Sequence, residues 1–318
     1  MSRGRAVTAW LAALALAALA ALVPPAARAD TYFLTVAGLG GEPDYEQRFR
    51  ELAATLDRVL KAPDAHVYTL AGKDASRAQL VRTLHDIAGL AKPDDDFVLI
   101  LIGHGSFDGV EYKFNLLGPD ISGPSLAALC NTIAAQHQLI VNTTSASGGS
   151  LAALARRGRA VIAATKSGTE KNATVFARYF VDALQDPTAD LDKNDAISAL
   201  EAFEYATTKT AQFYEAQKRL ATEHAVFVEN GRGAPVRAAS TETGAGRFLS
   251  SLVLVRMGTA KSAAADPAKR GLLAQKEQLE RRVDTLKFQR AAMSAADYKR
   301  ELTETLVELA KVQEQLDQ

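Results

Sequence analysis

The chain has almost no cysteine, no excess charge of either sign and one long apolar run. Cys130 is the sole cysteine, so no intrachain disulfide can form even in an oxidising compartment. It lies in Ser125-Leu126-Ala127-Ala128-Leu129-Cys130-Asn131-Thr132-Ile133, where Leu126, Leu129, Cys130 and Ile133 share one helical face. That spacing predicts a buried structural thiol, not a nucleophile. Lysine plus arginine and aspartate plus glutamate number 37 each. No basic cluster is interleaved with aromatics, which argues against a nucleic-acid-binding surface.

The apolar run, Ala9 to Val23, is about 15 residues, short of the roughly 20 that a spanning helix needs. Arg3 and Arg5 precede it, and Pro24-Pro25 and Ala27-Arg28-Ala29 follow. A basic start, a short apolar stretch and an A-x-A site predict a secretory signal peptide over 1–29, cleaved before Asp30; a membrane anchor is the alternative reading. Cleavage removes three arginines and no acid, leaving a net charge of minus three. The expectation is an exported protein, periplasmic or secreted, with no membrane segment after cleavage.

The remainder, within a chain of 318 residues that is 47% apolar and 23% charged, is long enough for a sizeable core. Strands are predicted at 32–37, 66–70, 97–102, 139–142, 160–165 and 248–255, with amphipathic helices at 45–60, 76–90, 125–136 and 174–184. The third to fifth strands are almost wholly apolar, as suits central parallel strands covered on both faces. The alternation predicts a doubly wound, mostly parallel six-stranded α/β sheet over 30–258.

Residues 259–268 are rich in small side chains and read as a linker. Beyond it, Leu272, Leu279, Val283 and Leu286 recur at heptad-like spacing, and Tyr298, Leu302, Leu306, Leu309, Val312 and Leu316 repeat every three or four residues. Ser294, three residues before Asp297, is a helix-start signal. The pattern predicts a coiled-coil hairpin over 269–318, able to mediate an oligomer. Two plain surface helices are the alternative.

Two strand ends carry the chemistry. Phe97–Ile102 stops in Gly103-His104-Gly105-Ser106, and Leu139–Asn142 stops in Thr143-Thr144-Ser145-Ala146-Ser147-Gly148-Gly149. Carboxyl ends of parallel strands are where sites are built in open α/β sheets. His104 and Ser145 are 41 residues apart, comparable with the roughly 50-residue His-to-Cys separation of caspases. The arrangement resembles the caspase and legumain group of cysteine peptidases over roughly residues 31–255. That group's His-Gly is matched by His104-Gly105. Its cysteine, two residues before a Ser-Gly, is matched by Ser145-Ala146-Ser147-Gly148, so serine stands at the nucleophile position.

The resemblance implies a caspase-like fold, Gly105 as a backbone donor to an oxyanion, and a specificity pocket beside Thr165-Lys166-Ser167-Gly168. No acidic pair is present there to copy legumain's asparagine preference. A thiol, with a reference pKa of about 8.5, works with a loosely placed histidine. A serine hydroxyl needs a base within hydrogen-bond reach, itself oriented by a third group. The sulfur-to-oxygen exchange therefore points to a pseudo-peptidase that binds a peptide or protein. A His104–Ser145 hydrolase is one alternative, and a coiled-coil scaffold is another. Gly38-Leu39-Gly40-Gly41 after the first strand lacks G-x-G-x-x-G spacing and a P-loop lysine, so a tight turn bordering the same cleft is expected.

A second constellation is Asp190-Leu191-Asp192-Lys193-Asn194-Asp195-Ala196-Ile197-Ser198-Ala199-Leu200-Glu201. It matches an EF-hand calcium loop: Asp190, Asp192 and Asn194 at the first, third and fifth positions, a carbonyl from Ala196, and Glu201 at the twelfth. Glycine is wanted at the sixth position for its positive φ. Asp195 stands there, one of the few residue types that tolerate that region. Ser198 with Glu201 three residues on also reads as a helix capping box. Calcium is the one cofactor these residues suggest.

Overall fold

The computed structural model describes residues 29–318, and the expected leader through Arg28 lies outside them. In chain order the elements begin with β1 (Thr31–Ala37), helix Pro43–Val59, β2 (Ala65–Leu70), helix Arg77–Leu90 and β3 (Asp96–Ile102). Three short strands follow, β4 (Gly105–Phe107), β5 (Tyr112–Phe114) and β6 (Ile121–Ser122), then helix Gly123–Cys130 and β7 (His137–Asn142). The body continues through β8 (Arg159–Ala163), helix Phe176–Ala183, β9 (Ala196–Ser198), helix Ala199–Ala216, β10 (Val226–Glu229), β11 (Arg232–Val236) and β12 (Val253–Arg256). Helices Gly258–Ala265, Arg270–Gln289 and Ala295–Asp317 close the chain.

The central sheet runs β11-β10-β8-β7-β3-β1-β2, parallel from β2 to β8 and antiparallel at β10 and β11. Alternate side chains face opposite layers. Phe33, Val98, Ile100, Val141 and Ile162 pack with Phe49, Leu56, Phe180 and Phe203 of three helices. Leu34, Leu99, Leu101, Ile140 and Val161 pack on the other face with Leu80, Leu84, Leu126 and Cys130. Each fully covered leucine or phenylalanine contributes about 1.5–3 kcal/mol relative to exposure. The sheet is therefore doubly wound, as the apolar runs predict. Cys130 is fully buried, and desolvation pushes its thiol up to about 11.

The six-strand expectation differs at one end. The sheet has seven strands, and 248–255 is not one of them. Residues Arg247–Ser251 form a helix because the Glu229 carboxylate accepts the N–H groups of Gly246 (3.0 Å) and Leu249 (2.8 Å), satisfying amides at its start. β12 then pairs antiparallel with β9 in a separate two-stranded ribbon. The antiparallel edge is instead supplied by β10 and β11, whose short runs carry little signal.

The expected linker is in part a helix. Gly258–Ala265 is anchored by the Asp195 carboxylate, which accepts the N–H of Thr259 at 3.0 Å. Its Ala260, Ala263 and Ala264 pack closely on Leu273, Val312 and Leu316. The last two helices form the expected hairpin, with Ser294 Oγ accepting the Asp297 N–H at 3.1 Å. Leu279 and Leu286 are buried, but Leu306 is 45% exposed. At that level the seam opens into a groove facing Asp192–Asp195, so Leu306 is not part of a closed coiled-coil core. Arg256 joins the hairpin to the body through Glu277 (2.5 Å) and Asp64 (3.1 Å), and Lys276 Nζ donates to the Asn194 carbonyl at 2.7 Å.

Candidate functional site

The pairings Ala37 to Ile102, Leu101 to Asn142 and Asn142 to Ala163 bring the carboxyl ends of β1, β3, β7 and β8 to one edge. His104 and Gly105 leave this edge after β3, Ser145 after β7, and Thr165–Gly168 after β8. The turn after β1 borders them, as expected: Gly38 donates to the Ile102 carbonyl at 2.8 Å, and Leu39 to that of Asn115 at 3.0 Å.

His104 is held by aromatic edges and backbone. Its ring meets Tyr45 at 4.8 Å and Phe49 at 5.2 Å, both near perpendicular, and hydrogen-bonds the Gly40 backbone. Burial lowers its pKa, against smaller upward effects of the Gly40 bond and the Glu42 charge. The group that orients the imidazole is thus a peptide unit, not a carboxylate. A cavity of about 310 Å³ opens beside it, lined by Tyr45, Phe49, His104, Thr143, Tyr179 and Phe213, with Arg48 and Arg178 also contributing. Ser145 does not line that cavity.

Ser145 is 4% exposed, and its hydroxyl is engaged by Gly105 on both sides. Oγ accepts the Gly105 N–H at 3.1 Å and donates to the Gly105 carbonyl at 3.0 Å. The sequence pairs Ser145 with His104, and the structure joins it to the residue after His104 instead. The same contact occupies the N–H expected to face an oxyanion. Glycine is required at 105 because a Cβ would lie 2.5 Å from the Ser145 carbonyl oxygen and 2.6 Å from Thr144 Oγ1.

Around these two residues runs a buried lattice of hydroxyls and one amide. Tyr112 OH and Thr144 Oγ1 are 2.7 Å apart, and Thr144 Oγ1 donates to Asn142 Oδ1 at 2.8 Å. Asn142 Nδ2 donates to Ser150 Oγ (3.0 Å), which donates to the Ser147 carbonyl (2.6 Å). Ser147 Oγ and Thr165 Oγ1 are 3.1 Å apart, and the Gly148 N–H donates to Thr165 Oγ1 at 2.9 Å. The Thr165–Gly168 segment is therefore seated against the Ser145 turn.

Two residues not singled out in the sequence complete the rim. Ala146 adopts a left-handed conformation, φ 55°, and donates its N–H to the Glu170 carbonyl at 2.8 Å. The Glu170 carboxylate accepts the Lys166 N–H at 2.9 Å and meets His224 Nδ1 at 2.5 Å. Glu170 and His224 are 54 residues apart. No local motif marks either one.

The acidic loop lies far along the chain, against the hairpin. Carboxylate oxygens of Asp190, Asp192 and Glu201 lie within 4.8 Å of one another. Asp195 has φ 66°, the conformation that the sixth loop position needs, and donates its N–H to Asp190 Oδ2 at 3.1 Å. The capping box is also present: Ser198 Oγ accepts the Glu201 N–H at 3.3 Å, and Glu201 Oε2 accepts the Ser198 N–H at 2.9 Å. Asn194 Oδ1 accepts the Ala196 N–H at 2.8 Å. Asp192 is pushed up to about 6 by desolvation on its inner side, then by the Glu201 and Asp284 charges. Such a crowd of carboxyl oxygens suits a hard divalent cation.

No family model matches the chain, and no curated protein does. Among solved structures it is similar to protein GSU0716 of Geobacter sulfurreducens, at 13% identity and TM-score 0.44, covering 66% of this chain and 97% of that one. It is also similar to caspase-1 of Spodoptera frugiperda, at 12% identity and TM-score 0.43, covering 64% of this chain and 86% of that one. The Drosophila initiator caspase Dronc matches at 13% identity and TM-score 0.37, over 65% of this chain and 82% of its own.

Proposed function

We propose that this is an exported caspase- or legumain-like pseudo-peptidase that keeps the cleft at the sheet edge for binding an extended peptide or protein. The observation that carries this reading is the closed exchange between Ser145 Oγ and the Gly105 amide unit. A serine nucleophile needs a base to take its proton, and this hydroxyl gives its proton to a carbonyl. His104 is hydrogen-bonded to the Gly40 backbone, and among the described residues no carboxylate orients it toward the serine. In this reading the acidic loop Asp190, Asp192, Asn194, Ala196 and Glu201 holds calcium as a brace for the following helix.

A Ser145–His104 hydrolase is the second reading, favoured by their emergence from neighbouring strands β3 and β7. A scaffold assembling through the hairpin is the third, favoured by the exposure of Leu306 (45%) and Val307 (49%).

A cleavage screen of the purified protein on a peptide library, with Ser145→Ala as control, tests the first reading. It requires no cleavage above the control and no labelling by serine-hydrolase probes. In the Ser145→Cys variant, a thiol-directed peptide electrophile should react faster than at Cys130, in a manner dependent on His104. Probe labelling of the unaltered protein, abolished in Ser145→Ala, overturns the reading in favour of a working serine enzyme.

A further inference from the structure

The turn before β3 contains a buried carboxylate with no cationic partner among the described residues. Asp95 is 3% exposed, and its two oxygens accept only backbone N–H groups, from Asp30 at 2.9 Å and from Lys92 at 2.8 Å. A buried carboxylate held by neutral donors alone gains further from a cationic one. The atom on Asp95 Oδ1 is the backbone nitrogen of Asp30, the residue that follows Ala27-Arg28-Ala29. Asp30 is otherwise fixed: its carbonyl accepts the Asp96 N–H at 2.9 Å, and its carboxylate lies 3.4 Å from His66 Nε2. Ala29 is exposed, so the Ala29–Asp30 bond is open to a processing enzyme.

We infer that the Ala29–Asp30 bond is a maturation site whose product completes the fold: the α-ammonium freed on Asp30 pairs with the buried Asp95 carboxylate. Hydrolysis by a leader peptidase adds water across the amide. The water oxygen joins the Ala29 carbonyl carbon as that C–N bond breaks, and both hydrogens end on the Asp30 nitrogen. The products are a carboxylate on the leader and an ammonium on the body. A neutral N–H donor thus becomes a charged donor at an existing 2.9 Å contact, without movement of either residue. Charge-assisted hydrogen bonds of this kind are roughly twice as strong as neutral ones. Processing therefore locks Asp30, the residue before β1, to the turn before β3. The inference rests on the proposed export, and the test separates the two.

The 318-residue chain is expressed in a secreting host, and the N-terminal residue of the exported protein is read by mass spectrometry. A second version carries one alanine inserted between Ala29 and Asp30, which keeps the A-x-A site but moves the ammonium one residue away. The exported protein should begin at Asp30. It should melt roughly 2–4 °C above the inserted version, the shift that one strengthened interaction gives in a chain of this size. The difference should vanish when both carry Asp95→Asn. The α-amine of the native form should acylate more slowly than that of the inserted form, a comparison that needs no Asp95 variant. Absence of export, or a first residue other than Asp30, overturns the maturation site together with the export reading. A chain that begins at Asp30 but matches the inserted form in melting and amine reactivity overturns the ion pair alone.

Discussion

Ser145 and Gly105 hold each other through a reciprocal pair of hydrogen bonds, N–H to Oγ at 3.1 Å and O–H to carbonyl at 3.0 Å. Forty residues apart in sequence, they join the loop after β3 to the loop after β7. Ser145→Ala would leave a buried donor and a buried acceptor unpaired, at about 1–3 kcal/mol. Chemical denaturation should show that loss with no change in slope. Gly105→Ala should cost at least as much, because the added methyl meets backbone and Thr144 at 2.5–2.6 Å.

His104 provides a pH signature. Its folded pKa lies below the ordinary 6.5 because of burial, so below that pH the unfolded chain binds more protons than the folded one. Stability from this residue is complete above about 6.5 and is lost as the pH falls toward the folded pKa. His104→Asn should flatten that part of the stability profile. A proton NMR titration should show the His104 ring neutral at pH 7, and a midpoint above 6.5 would overturn the assignment.

Calcium at millimolar concentration should raise the melting temperature if the acidic loop binds it, by RT ln(1 + [L]/Kd), about 2.7 kcal/mol at a hundredfold excess. Asp192→Asn is the cleanest variant. It keeps the Ser198–Glu201 capping box and removes one carboxylate from the three that converge. Identical melts with and without the ion would leave those side chains the capping role alone.

Removal of the hairpin after Gly258 should leave a cooperatively melting body, because no central-sheet strand lies beyond Val236. Its midpoint should nevertheless fall, since the cut removes Glu277 from Arg256 and Lys276 from the Asn194 carbonyl. Arg256→Ala in the intact chain should cost about 3 kcal/mol, the lower range for removing one member of a buried pair. Aggregation of the truncated protein would mean that the hairpin belongs to the core.

The parallel strands were legible because Phe97–Ile102 and Leu139–Val141 are continuous apolar runs, and strands covered on both faces must be so. The convergence of Asp190, Asp192 and Glu201 was legible because their spacing is local. What escaped was non-local. Arg159 is fully buried at the start of β8, held by Gln138 Oε1 at 2.6 Å and the Leu154 carbonyl at 2.9 Å, and nothing in Gly158-Arg159-Ala160 announces it. The helix at Arg247–Ser251 depends on Glu229, far back in the chain, so a local reading of Phe248–Val255 favours a strand. The resemblance points to Ser145, but its hydrogen-bond partner Gly105 is not legible there. One residue of displacement decides whether its hydroxyl meets an imidazole or a peptide unit.

The buried chain of contacts from Tyr112 through Thr144, Asn142, Ser150 and Ser147 to Thr165 ties the loops at this sheet edge to one another. Under the proposed binding role, side chains already hydrogen-bonded in this way have little rotamer freedom left to lose on association. Guests would then be sorted by how well they fit a fixed mould, with preferences expressed in how slowly each one departs. Selectivity in such a mould sits in the spacing of a few oxygen atoms. A single hydroxyl-to-methyl exchange far from the guest could reset it.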